Sequence, residues 1–486
     1  MPVPPGDPYT PGRGDRTYAV RHYDLDLDYK VSSNRLSGRA RLDVVAFEAI
    51  SQLRLDLVGL RVSKVTVGGA TTRWTQRQGH LLVTLPAPLE VGEGVSVTVA
   101  YAGNPGPARS PWGELGWEEL DDGVLVASQP TGAPTWFPCN DHPRTKATYR
   151  VALECDSPYA VVVSGTRVER RVRGSRTRHV FEETHPMATY LATVHVGQYD
   201  EVVLDVGRSE AGAAGPDAGA HAVGGDGGVR QVLVAPRRLH EQARRELAAQ
   251  PAMMAAFVER FGPYPFDAYT VVVTADKLEI PLESQGMATF GPNWLTGRGT
   301  HERLVAHELA HQWFGNSLTV TSWSDIWLNE GFACYAEWLW SEASGGPTAA
   351  ALAAQHHARL AREPQDLVVA DPGPDAMFDD RVYKRGALTV HALRTHLGEP
   401  DFDSMLRSWV ATHEHGSVST PDFVEHVSAH DPAGGSEALL HAWVMVPELP
   451  ALPVQRTFSA PPRSSAPPRS SAPPPSSAQR ATRGRR

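Results

Sequence analysis

His307-Glu308-Leu309-Ala310-His311, then eighteen residues, then Asn329-Glu330-Gly331 is the stretch that decides how this chain is read. On a helix, residues four apart share a face one turn up, so His307 and His311 aim ring nitrogens at one point. Two imidazoles and a carboxylate form the ligand set of a catalytic zinc that keeps a fourth position for water. Glu308 adjoins a ligand without being one, as a base for that water must. A bare HExxH arises by chance about once in twenty chains of this length and His content. A Glu at a set distance, inside Trp327-Leu328-Asn329-Glu330-Gly331, lowers that chance by about tenfold or more. The competing reading is an amphipathic core helix whose histidines merely find hydrogen bonds. It explains neither Glu308 nor Glu330.

The surrounding residues read as two helices sharing one metal. Thr300 is the expected N-cap of the first, Leu304, Leu309, Trp313 and Phe314 supply its apolar positions, and Gly315 is its stop. A second apolar segment, Ile326 to Trp340, carries Glu330 near its start. Cys334 falls one turn after Glu330, but the ligand set is complete without it, so a small buried core residue is expected there.

This signature resembles that of the M1 family of zinc aminopeptidases (gluzincins), which includes aminopeptidase N and leukotriene A4 hydrolase. The resemblance runs across most of residues 15 to 450. It implies a multidomain α+β protein: an N-terminal antiparallel β saddle-like domain followed by a thermolysin-like, mainly helical catalytic domain. One Zn2+ per chain and peptide substrates with a free N-terminus are implied with it.

Bulk properties narrow the field further. At 486 residues the chain is too long for one core and suits two or three domains. A net charge of −9 gives no basic excess to suggest nucleic acid. No apolar run approaches the roughly 18 residues that span a bilayer, so no membrane insertion is expected. Met1 to Asp15 is Pro- and Gly-rich and lacks an apolar signal-peptide core. Three cysteines, Cys139, Cys155 and Cys334, are too few and scattered for a disulfide framework. A cytoplasmic location with reduced thiols is the expectation.

Residues 1–16 read as a flexible N-terminus and 17–202 as the β domain. Tyr23 to Tyr29, Leu53 to Leu57 and Val95 to Val99 alternate apolar and polar, with Gly68-Gly69, Gly92 and Gly103-Asn104-Pro105-Gly106 as turns. Residues 203–450 read as the catalytic domain: helical patterns broken by the strand-like Tyr269 to Val273. Within it, 208–228 is a Gly/Ala-rich stretch that cannot bury a core and is expected to be a mobile loop. Residues 451–486 form an expected disordered Pro/Ser/Arg-rich tail. There Ser459-Ala460-Pro461-Pro462-Arg463-Ser464 repeats from Ser465, and from Ser471 with Pro475 in place of Arg. An inert solvated tail is the plain expectation, a ligand for Pro-recognising domains or an electrostatic tether the sharper ones. Many M1 members carry a helical C-terminal domain over the active site, for which no room is expected here.

The resemblance also assigns roles beyond the metal. Val382-Tyr383-Lys384-Arg385-Gly386-Ala387 is similar to the segment carrying the family's oxyanion-stabilising Tyr, which makes Tyr383 that donor. The family's amine-binding Glu lies in a Gly-Ala-Met-Glu-Asn motif. Here Ile280-Pro281-Leu282-Glu283-Ser284-Gln285-Gly286 stands in its place, so Glu283 is the expected anchor for a substrate ammonium. Trp136-Phe137-Pro138-Cys139-Asn140-Asp141-His142-Pro143, followed by Lys146, resembles a motif of the β domain. The family's second amine ligand lies ten residues before its Cys, at Gln129. Glu279 is read as an ordinary solvated carboxylate, with a role in a basic side-chain pocket as the sharper alternative. Two other classes stay open: a zinc endopeptidase, which needs no amine anchor, and a catalytically silent M1-like interaction scaffold. Intact Glu308 and Tyr383 argue against the scaffold.

Overall fold

The alternation in Tyr18–Lys30 (β1) becomes a strand with one wet face and one dry face. Tyr23, Leu25, Leu27 and Tyr29 are buried, while Asp24, Asp26 and Asp28 point outward. The outward acids meet arginines from neighbouring strands: Asp24 with Arg150 at 2.9 Å, Asp26 with Arg178 at 2.8 Å and Asp28 with Arg176 at 2.8 Å. Such exposed pairs contribute about 0–1 kcal/mol each. Each fully buried Leu or Tyr on the other face contributes about 1.5–3 kcal/mol, so the dry face decides the register.

The computed structural model describes residues 6–204 and 228–453. The Gly/Ala-rich stretch up to residue 227, the tail beyond 453 and residues 1–5 lie outside the described residues. The first unit is β-rich, as expected. Its largest sheet has eight strands, and β1 lies at its centre between Arg35–Ala46 (β2), which runs antiparallel, and Lys146–Asp156 (β3). The β1–β3 pair is parallel, with Tyr23 opposite Tyr149, an exception to the otherwise antiparallel pattern. Smaller sheets of five and three strands complete the unit.

A five-stranded mixed sheet opens the second unit. Its order is Asp200–Val203 (β4), Arg230–Ala235 (β5), Ala268–Val273 (β6), Met287–Phe290 (β8) and Leu282–Ser284 (β7). Strand β4 straddles residue 202 yet pairs only with β5, so in space it goes with the second unit. Helices follow. Glu302–Ala310 (α1) carries the HExxH motif, Trp327–Ala343 (α2) carries Glu330, and Asp380–Leu397 (α3) carries Tyr383. Residues Trp327 to Trp340 are buried on every side, which makes α2 the central helix of this unit.

Two expectations change. Residues 6–16, expected to be flexible, are docked. Asp7 Oδ2 accepts from Trp323 N at 3.1 Å, and the Tyr9 hydroxyl bonds Asp371 and accepts from Gly373 N at 2.8 Å. Tyr9 is buried, and that packing is what a reading based on Pro and Gly content missed. Thr300 is not the cap of α1. The helix begins after His301 with no side-chain cap, and the Thr300 hydroxyl pairs with Thr296. Glu246 does the comparable work from a distance, accepting from the backbone N–H groups of Thr296, Gly297 and His301 at 2.8–2.9 Å.

Candidate active site

Helix geometry and a close crossing assemble the site. His307 lies on α1 and His311 just past its end, and Glu330 comes from the first turn of α2. The donor atoms of the three lie within 4.8 Å of one another, the only such cluster of His, Cys, Asp and Glu among the described residues. Both Nε2 atoms face the same Glu330 oxygen, each at 3.4 Å. Tyr383 is brought in by α3. A Cβ on Gly331 or on Gly386 would stand 2.8 Å from the other residue's Cα, so only glycine permits this approach of α2 and α3. The Tyr383 ring then stacks on His307, centroids 6.2 Å apart.

Each imidazole is held from behind. His307 Nδ1 lies 2.9 Å from Glu337 Oε1, and His311 Nδ1 lies 3.0 Å from the Phe314 carbonyl. Both partners only accept, so each Nδ1 carries a proton, and a metal at the shared point would displace the Nε2 protons and take those lone pairs. Both oxygens of Glu337 in turn accept from Arg303 Nη1 at 3.0 Å. Sequence reading missed Glu337. The signal was its place seven residues after Glu330, two turns along the same helix face.

The charges are compensated within the cluster. Burial pulls His307 and His311 down, but hydrogen bonds and charge from Glu330 win and hold them up at about 9 and about 10. Burial raises Glu330, and the two imidazoles outweigh it and hold that carboxyl down at about 2. Three convergent donors of this kind, two neutralisable nitrogens and one carboxylate oxygen, suit a divalent zinc ion. Glu308 is 4% exposed, and its Oε2 is buried with no partner. Burial lifts its carboxyl to about 7, with Glu283 adding to the rise and His307 opposing it.

Glu283 sits on the edge strand β7, opposite Ala288 of β8. Burial raises its carboxyl, while His311 lowers it and Glu330 raises it further, so it feels the triad directly. Gln129, from the β unit, donates from Nε2 to Glu283 Oε1 at 2.5 Å. The two residues expected to share a substrate amine are therefore in contact across the seam between the units. Glu279 is exposed, in keeping with a solvated carboxylate.

Two further residues went unread. Gln312 accepts from Gly286 N at 2.8 Å and donates to the carbonyls of Ser284 at 3.2 Å and Met287 at 3.3 Å. Asn316 Nδ2 donates to the Ser284 carbonyl at 2.8 Å. Both are fully buried, and together they fix the strand bearing Glu283 to the residues that follow α1. Their signal was faint: two amides inside the apolar run around Trp313 and Phe314. Cys334 is buried as expected, with Lys384 Nζ 3.0 Å from its sulfur.

Comparison with known proteins places this arrangement. The family model for the peptidase family M1 domain matches residues 245–443, and that for the peptidase M1 N-terminal domain matches residues 19–191. A crystal structure of an M1 zinc metallopeptidase mutant from Deinococcus radiodurans, bound to a Tyr-Ser-Ala substrate, superposes with a TM-score of 0.82. It is 32% identical, covering 93% of this chain and 99% of that one. Human endoplasmic reticulum aminopeptidase 1 is 26% identical over 86% of this chain and 46% of its own length. Aminopeptidase M1-A of Oryza sativa is 28% identical over 77% of this chain and 43% of its own. The chain thus spans about half the length of these curated relatives. Among the described residues no helix is long and apolar enough to cross a membrane.

Proposed function

We propose, for a chain that belongs to the M1 peptidase family, that it is a zinc aminopeptidase removing residues from the free N-terminus of peptides. One observation carries this reading. A half-buried carboxylate, Glu283, backed by Gln129, stands within electrostatic reach of the His307, His311 and Glu330 cluster. An endopeptidase has no use for a fixed anion at that place, because an internal peptide brings no ammonium.

His307, His311 and Glu330 would hold the zinc, which when bound supplies Lewis acidity toward water and the scissile carbonyl. Glu308 takes the proton of the attacking water and passes it to the leaving amine. A carboxyl near pKa 7 can do both at neutral pH. Tyr383 donates its hydroxyl to the oxyanion. Burial, then Glu330, Glu283 and Glu308, keep that phenol protonated far above its ordinary range, so it remains a donor. Glu283 and the Gln129 carbonyl receive the substrate ammonium, and their fixed place relative to the triad sets a one-residue ruler. Glu337 positions His307 and is not itself in contact with the reacting atoms.

The test compares free-amine aminoacyl anilides and peptides with their N-acetylated forms, with and without a chelator. Free-amine substrates should be cleaved and chelation should abolish it, with zinc restoring it. Products from a long peptide should appear one residue at a time. Equal cleavage of acetylated substrates, or internal cuts, would overturn the aminopeptidase reading in favour of an endopeptidase.

A further inference from the structure

A cationic cavity at the seam between the two units stands apart from the proposed peptide chemistry. It measures about 290 Å³ and is lined by Arg21, Arg144 and Lys146 from the β unit and by His415 and Ser417 from the second. An adjoining cavity of about 130 Å³ shares the first three and adds Arg16, His142 and Phe47.

The arginines here differ from those elsewhere on the same sheet. Arg150, Arg176 and Arg178 each meet a carboxylate at 2.8–2.9 Å. Arg21 and Arg144 are exposed and make no ion pair among the described residues, and Arg21 instead lies 5.7 Å from the centre of the Phe47 ring. Arg16 bonds only a ring nitrogen of His142, at 3.2 Å. One acid, Asp15, lines the smaller cavity and accepts from Thr17, and Glu414 lies 3.9 Å from His415, an imidazole that burial holds down at about 4. Cations gathered round one cavity repel each other, and a chain of net charge −9 had acids to spare for them.

Lys146 is the fixed member. Its ammonium donates to the carbonyls of Asn316 at 3.1 Å, Ser317 at 2.7 Å and Gly416 at 3.0 Å. Its three donor positions are used and burial pulls the ammonium down to about 7, so a ligand would take its hydrogen bonds from the guanidinium forks. Two guanidinium forks, each carrying a charge, favour a divalent oxyanion over a halide.

We propose that this seam cavity binds a small divalent oxyanion of the phosphate or phosphate-monoester class, gripped by Arg21 and Arg144 beside Lys146. Because His415 and Ser417 of the second unit line the same cavity, and His415 N donates to Ser317 Oγ, the bound anion fastens the β unit to the loop at Gly416 and through it to the turn after α1.

The test is a calorimetric titration of the metal-loaded full chain with inorganic phosphate and with glycerol phosphate at constant ionic strength, chloride serving as control. Saturable binding of one anion per chain is expected, with slowed hydrogen exchange at 315–318 and 415–418. Phosphate binding at least as tight as the ester points to the free ion, and tighter ester binding points to a monoester; either supports the site. The pair Arg21→Ala and Arg144→Ala should weaken binding at least tenfold and leave basal peptidase turnover unchanged. Lys at both positions keeps the charge without the forks and should fall between. No saturation, chloride matching phosphate, or undiminished binding in the double Ala variant would mean an adventitious ion only, and would overturn the proposal.

Discussion

Around His307, His311 and Glu330, position comes from two helices; around Glu283, it comes from an edge strand only three residues long. A helix satisfies its own backbone and fixes side-chain directions by its period, so the metal half is built from local geometry on two packed helices, and one glycine-to-glycine crossing adds Tyr383 to it. A three-residue strand has no such stiffness. Its rigidity is imported from Gln312 and Asn316 behind α1 and from Gln129 in the other unit. The metal half should therefore respond to changes within its own two helices, the support behind His307 included. The amine half depends on residues far away in sequence.

The sharpest way to break the contrast is Glu308→Gln. The ligands stay intact, so metal analysis should still find one zinc per chain, while turnover falls by about 10²–10⁴. Substantial activity in that variant would remove Glu308 from its role. Tyr383→Phe deletes one hydroxyl and keeps the stacking on His307. Turnover should drop by about 10²–10³ with KM little changed, because the donor acts in the transition state. An effect confined to KM would assign the oxyanion to another group.

Glu283→Ala addresses the amine half. Loss of a charge-assisted contact costs about 1.5–3 kcal/mol, so kcat/KM on free-amine substrates should fall by roughly ten- to a hundredfold. The poor cleavage of acetylated substrates should not change. Equal losses on both would show that the Glu283 carboxylate does not hold the amine. The smallest effect is expected from Glu337→Gln, which keeps the shape of the support behind His307. Zinc affinity should weaken by about 10–100-fold, and activity should return in excess zinc. Unaltered zinc affinity would mean that the Phe314 carbonyl and helix packing orient the imidazoles on their own.

The sequence by itself determined the class of fold, the family and the three residues of the candidate metal cluster. The reason is that these rest on short-range patterns: a period of two in Tyr23 to Tyr29, and an i, i+4 spacing in His307 to His311 that any helix turns into one face. Even the displaced cap at Thr300 changed nothing, because the helix period and not its first residue aims the two rings. Tertiary structure alone decided the rest. That Gln129 touches Glu283, that Glu337 stands behind His307, and that Asp7 and Tyr9 pack on the second unit are contacts between segments distant in the chain. Polar residues such as Gln312, Asn316 and Lys146 carry no period of their own. Their meaning lies in which carbonyls the fold brings to them, and burial makes those partners obligatory.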